Sequence, residues 1–149
     1  MAVLNNSINY SLGNFSAYLS SSQGFIPPTG PTIIKFDSTY LNDGANYNTG
    51  TYTYTVPISG TYLINTNLYL TGTVITDFEL YLYINGSASS IIFECKPTSG
   101  GLLYVTGFSS SYVASFTAGQ ALTFYFQVVS GSGGSTIAAG SNVTGILLI

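Results

Sequence analysis

Between Phe36 and Thr66 the chain reads FDSTYLNDGANYNTGTYTYTVPISGTYLINT, and this stretch restricts the fold more than any other. Tyr52, Tyr54 and Val56 alternate with Thr51, Thr53 and Thr55, the two-residue period of a strand with one buried face. Asn42-Asp43-Gly44 and Asn48-Thr49-Gly50 are turn signals, because Asn, Asp and Gly accept the backbone angles of tight turns. Pro57-Ile58-Ser59-Gly60 ends that strand, and Tyr62, Ile64 and Leu68 begin the next. The reading is a β-meander with an aromatic inner face.

The same period runs through the rest of the chain. Phe15, Ala17 and Leu19 alternate with Ser16, Tyr18 and Ser20, and Ile33 to Asp37 resumes the pattern. Pro27, Pro28, Gly30 and Pro31 exclude a central strand from Gln23 to Thr32, which reads as a surface loop. Thr61 to Leu70 leads to a Thr71-Gly72 turn. Phe78, Leu80, Leu82 and Ile84 then form one face, against Glu79, Tyr81 and Tyr83 on the other. Asn85-Gly86 is the strongest hairpin signal, with Ile91 to Glu94 returning. Ser99-Gly100-Gly101 turns into a strand over Leu102 to Thr106, and Tyr112, Ala114 and Phe116 mark another. Leu122, Phe124, Phe126 and Val128 face inward opposite Thr123, Tyr125 and Gln127. Ser130 to Ser141 reads as a mobile Gly-rich loop, and Val143 to Ile149 as the last strand. About ten short strands with no helical period make an all-β sandwich.

At 149 residues the chain forms one domain with a single core. Only 5% of residues are charged, where about a quarter is usual. No apolar run approaches the ~18 residues of a membrane-spanning helix, and the abundance of Tyr, Phe, Ile and Val argues against disorder. Net charge is −3, with Lys35 and Lys96 the only cations, which excludes a phosphate-backbone (nucleic-acid) partner. An uncharged Ser/Thr/Asn/Gly/Tyr surface points to a protein that lives in an assembly. Met1 to Gly13 is polar and turn-like, so it reads as an N-terminal arm with Met1, Ala2, Val3 and Leu4 as attachment residues, ahead of a domain over 14–149. It lacks the charged start and apolar centre of a signal peptide.

The chemistry excluded is wide. There is no His, so the commonest general base and every Ser-His or Cys-His arrangement are missing. The carboxylates are Asp37, Asp43, Asp77, Glu79 and Glu94. Asp77 and Glu79, two apart on one strand, point the same way and suit a weak Ca²⁺ contact better than catalysis; a solvated strand end is the simpler reading, and no metal is expected. Cys95, the single cysteine, reads as a small buried hydrophobe. The Ser130 to Ser141 loop has no Lys and no following helix, so it is no phosphate cradle.

The order Phe36, Asn42, Tyr47, Tyr54, Gly60 and Tyr62 resembles the signature of the C1q/tumour-necrosis-factor globular head, with YNTGTYTYTVPISGTYLI similar to its Tyr-Asp…Thr-Gly-x-Phe-x-x-x-Pro-x-x-Gly-x-Tyr run. SNVTGILLI, carrying Gly145, is similar to the family's closing strand. Tyr54 stands at a usual Phe, Ile64 and Thr66 at usual aromatics, and Val143 at a usual Phe. The resemblance implies a jelly roll assembling as a homotrimer, with Tyr81, Tyr83 and Tyr125 as interface candidates near the three-fold axis. It also implies Ca²⁺ near the trimer apex in some members. Gly30-Pro31-Thr32 is one triplet and not a collagen-like stalk.

The expected function is therefore a non-enzymatic structural trimer on an exterior surface: a decoration (cement) or fibre-head protein of a phage or virus particle, or a spore-coat component, with a shell or coat protein as partner. The alternative is an extracellular recognition or adhesin head that binds a glycan or protein receptor through apical loops and exposed Tyr.

Overall fold

The computed structural model describes residues 13–25, 30–72, 75–95, 107–131 and 135–148. Its strands are β1 (Phe15–Tyr18), β2 (Gln23–Phe25), β3 (Thr32–Ile33), β4 (Ser38–Asn42), β5 (Tyr47–Asn48), β6 (Thr53–Thr55), β7 (Gly60–Gly72), β8 (Ile75–Ile84), β9 (Ser87–Cys95), β10 (Gly107–Phe116), β11 (Ala121–Gly131), β12 (Ser135–Ile137) and β13 (Asn142–Leu148). All pairings are antiparallel. The first sheet runs β2-β12-β7-β13-β1-β4, with β10 on the other edge of β7; the second runs β5-β6-β11-β8-β9, with β3 beside β11. The fold is the expected all-β jelly-roll sandwich.

Alternation places the core between the sheets. Phe15 and Ala17 from β1, Tyr62, Ile64 and Leu68 from β7 and Val143 from β13 meet Tyr54 from β6, Phe78, Leu80 and Leu82 from β8 and Leu122, Phe124 and Phe126 from β11, all buried. Each buried Val, Leu, Ile or Phe among them contributes roughly 1.5–3 kcal/mol through removal from water. Phe78, Phe93, Phe108 and Phe126 cluster at one end, with centroids 4.4 to 5.7 Å apart in the contacting pairs. Along one side the edge strands are tied by Ser110 Oγ, which donates to Ile92 O at 2.9 Å, and by Ser90 and Tyr112, whose hydroxyls lie 3.0 Å apart.

Thr66 sits on the inner face of β7, 1% exposed, and its hydroxyl has no hydrogen-bond partner among the described residues. Thr66→Val keeps the shape and removes the unpaired oxygen, so it is expected to raise stability by ~1 kcal/mol in denaturant unfolding. Lower stability of the variant would contradict this.

Local turn chemistry matches the sequence where it is most specific. Asn85 and Gly86 both take positive φ (52° and 79°), as a two-residue primed turn requires, and Asn85 Oδ1 accepts from Ala121 N at 2.9 Å. Asp43–Ala45 forms a single 3-10 turn with Gly44 at φ 69°.

Four expectations change. Ser130 to Ser141 is not simply a loop: β11 continues to Gly131, and Ser135–Ile137 is a strand held between β2 and β7 with Ile137 buried. The long-range pairing and two β-branched side chains, Thr136 and Ile137, outweigh the Gly/Ser composition. Gln23–Phe25 is likewise a short strand, at the sheet end where the neighbouring prolines do no harm. Thr71 and Gly72 extend β7 instead of turning. Tyr52 is not on the inner face of a strand; it precedes β6 with φ 57°, half-buried. The expected Ser99-Gly100-Gly101 turn, the Leu102 to Thr106 strand and the arm residues Met1, Ala2, Val3 and Leu4 lie outside the described residues. Gly13, the last residue assigned to the arm, is buried in the domain.

Candidate functional site

The signature residues form one connected clasp. Phe15 stacks on Tyr54 at 4.1 Å and on Tyr47 at 5.5 Å; Tyr54 meets Tyr62 edge-on at 6.3 Å, and Tyr62 contacts Phe116 at 5.8 Å. Every phenol in the clasp donates to a backbone carbonyl: Tyr47 to Phe36 O, Tyr54 to Gly13 O and Tyr62 to Ile58 O, at 3.1, 2.8 and 2.8 Å. Asn42 grips the Tyr47 backbone twice, accepting from its N–H and donating to its carbonyl, at 2.8 and 2.9 Å. Gly145 is small for a steric reason, since a Cβ there would lie 2.2 Å from Phe15 Cε1; a Cβ on Gly60 would meet only the end of the flexible Leu147 side chain, 2.7 Å from Cδ1. These residues hold the two sheets together.

Burial raises the Tyr47 and Tyr54 phenols far above their ordinary range, and raises Tyr62 as well. Since the folded values lie above the unfolded ones, this stabilisation is complete below pH about 10 and is lost as pH rises past it. In an alkaline titration followed by phenolate absorbance, the clasp phenols Tyr47, Tyr54 and Tyr62 are therefore expected to ionise only together with loss of the strand circular-dichroism signal. Ionisation of all tyrosines before unfolding would contradict it.

Two outward faces remain. On the second sheet, Tyr83 stacks on Tyr125 at 4.0 Å and meets Tyr81 edge-on at 6.4 Å, so the three candidate tyrosines do come together. The Tyr81 hydroxyl donates to Glu79 Oε2, a bond that with burial pushes its pKa up to about 12. Glu94 stands directly across from Glu79. Asp77 Oδ1 is buried without a hydrogen-bond partner among the described residues, yet these residues contain no group of three or more His, Cys, Asp or Glu that could hold a metal ion. Cys95, half-buried, has its thiol pKa pushed up by burial and by the Asp77 charge.

The first sheet presents a different face, one the sequence reading did not single out. Its seven strands contain no Asp, Glu, Lys or Arg. Val113, Leu63 and Ile146 are direct cross-strand neighbours and form an apolar rung. Beside it Ser111 Oγ donates to Asn65 Oδ1, Ser109 Oγ to Asn67 Oδ1 and Asn67 Nδ2 to Asn142 Oδ1, at 2.8, 2.6 and 3.1 Å. Tyr40, Leu41, Tyr69, Val113, Ile146 and Leu148 are exposed on this sheet, against Ile91 and Val129 on the other.

A cavity of about 210 Å³ opens where the segment after β1 meets Lys35 and Asp37. Asp37 accepts from Ser20 N at 2.7 Å and Ser20 Oγ at 2.6 Å; these bonds outweigh partial burial and hold its carboxyl below the usual range. Gln23 spends both amide atoms on the backbone, donating to Ile33 O and accepting from Lys35 N, at 2.8 and 2.9 Å. Tyr52 lines the same cavity in a left-handed conformation that costs a bulky residue about 1–3 kcal/mol.

A two-layer sandwich, thirteen strands among the described residues, closed by an aromatic clasp defines a jelly roll. Solved structures of this architecture include the Eiger TNF of S. frugiperda (14% identity, 91% of this chain and 92% of that one, TM-score 0.60) and the globular domain of zebrafish complement 1qA (13% identity, 92% and 98%, TM-score 0.58). The chain has the C1q/tumour-necrosis-factor-like fold. No family model matches it, and no curated protein does.

Proposed function

We propose that the chain is a non-enzymatic homotrimeric head on the outer surface of a larger particle, a phage or virus decoration or fibre-head protein or a spore-coat component. The observation that carries the trimer is the uncharged outer face of the first sheet. Free surfaces of soluble domains are about 25–35% charged, while charge is depleted at the centre of subunit contacts. The apolar Val113–Leu63–Ile146 rung fits the middle of such a contact, and the Ser/Asn ladders already satisfy their own hydrogen bonds, so burying them costs little. On this reading the three-fold contact lies on the first sheet, and Tyr81, Tyr83 and Tyr125 lie on the outside of the trimer.

Val113→Asp, which puts a charge on the proposed contact, is expected to convert the trimer to a monomer by native mass spectrometry, whereas Tyr125→Ser leaves the trimer intact. The opposite pattern would return the contact to the tyrosine face. Removing residues 1–12 is expected to leave the trimer intact and abolish attachment to the particle. The second reading, a recognition head, is favoured by the stacked tyrosine patch, whose rings suit sugar or protein contacts.

A further inference from the structure

We propose that the cavity between the β1–β2 segment and Lys35 binds a saccharide unit carrying a carboxylate. It gives the recognition reading a location and a ligand class, and it is independent of the trimer. The cavity is lined by Ser21, Ser22, Lys35, Asp37 and Tyr52 over the buried side chain of Leu19. Its volume, about 210 Å³, suits one hexose-sized ring.

Each lining group has a role that such a ring would use. Lys35 is the one cationic side chain among the described residues, and there its ammonium is in no ion pair with Asp37 or any other carboxylate. It is free to take an external carboxylate through a charge-assisted bond. Asp37 is held in place by Ser20, and an ionised carboxylate keeps spare lone pairs that accept from neighbouring ring hydroxyls. Ser21 and Ser22 add hydroxyls that can donate or accept. Tyr52 supplies an aromatic wall, and its left-handed backbone holds the ring there against local preference. Gln23 fixes the backbone of Lys35 beside the cavity. A neutral sugar leaves Lys35 unused, and a simple carboxylate leaves Tyr52 and Asp37 unused.

The test is calorimetric titration of the full chain with glucuronate and galacturonate, with glucose and acetate as controls. At least one uronate is expected to bind saturably, about tenfold or more tighter than both controls. Lys35→Met and Tyr52→Gly, both with unchanged or higher melting temperature, are expected to weaken that binding about tenfold or more. The Gly variant relieves the backbone strain, so lost binding cannot be laid to misfolding. Equal binding of acetate, uronate binding no tighter than glucose, no saturable uronate binding, or retention by Lys35→Met would each overturn the proposal. The oligomeric state of the same sample separates the two readings. A trimer without uronate binding removes only this site, and a monomer that binds uronate through Lys35 removes only the assembly.

Discussion

Gly145→Ala is expected to destabilise the domain by ~3 kcal/mol or more, the upper end of what added core atoms cost. The new Cβ would stand 2.2 Å from Phe15 Cε1 and 2.7 Å from Cδ1, distances that no side-chain adjustment of Ala can relieve. Phe15 itself cannot retreat, because its ring is stacked on Tyr54 and Tyr47 and is fully buried. Moving it strains Tyr54, whose hydroxyl is committed to Gly13 O. Glycine's conformational freedom plays no part here; the constraint is space. Denaturant unfolding reads the effect directly, and a loss below ~1 kcal/mol would mean that the clasp is softer than the packing implies.

Phe15→Ala is expected to cost about 3–5 kcal/mol, the range for emptying an aromatic site in a close-packed core. The two substitutions should not add. Once Phe15 is shortened, the Gly145 Cβ has room, so Gly145→Ala in the Phe15→Ala background should cost under ~1 kcal/mol further, a coupling of about 2 kcal/mol or more between touching residues. Additive losses would show that Gly145 is needed for something other than the Phe15 ring.

Features whose physics is local could be read from the sequence. Asn85-Gly86 states its turn through the positive φ it needs, and the alternation over Phe78 to Ile84 and Leu122 to Val128 states which side chains go inward. The signature order from Phe36 to Tyr62 was readable as a fold marker, and the structure adds why: those residues and Gly145 build the clasp. Features set by distant partners were not readable. Ser135–Ile137 looks like linker and becomes a strand only because β2 and β7 flank it. Tyr52 keeps the alternating pattern yet falls one residue outside the strand, where the turn sets its angles. The first-sheet face was hidden for a simpler reason. Asn65, Asn67, Ser109 and Ser111 look like any solvated positions until strand pairing lines them up beside Leu63, Val113 and Ile146. The tyrosine trio is legible because its residues are large and alternate with the core positions of their strands.

Native mass spectrometry of the full chain, beside its Val113→Asp variant, tests the central claim most directly. The account predicts a wild-type mass of three chains at low micromolar concentration and a single chain for Val113→Asp. A wild-type monomer under those conditions, or a variant trimer as stable as the wild type, would contradict assembly through the uncharged face of the first sheet.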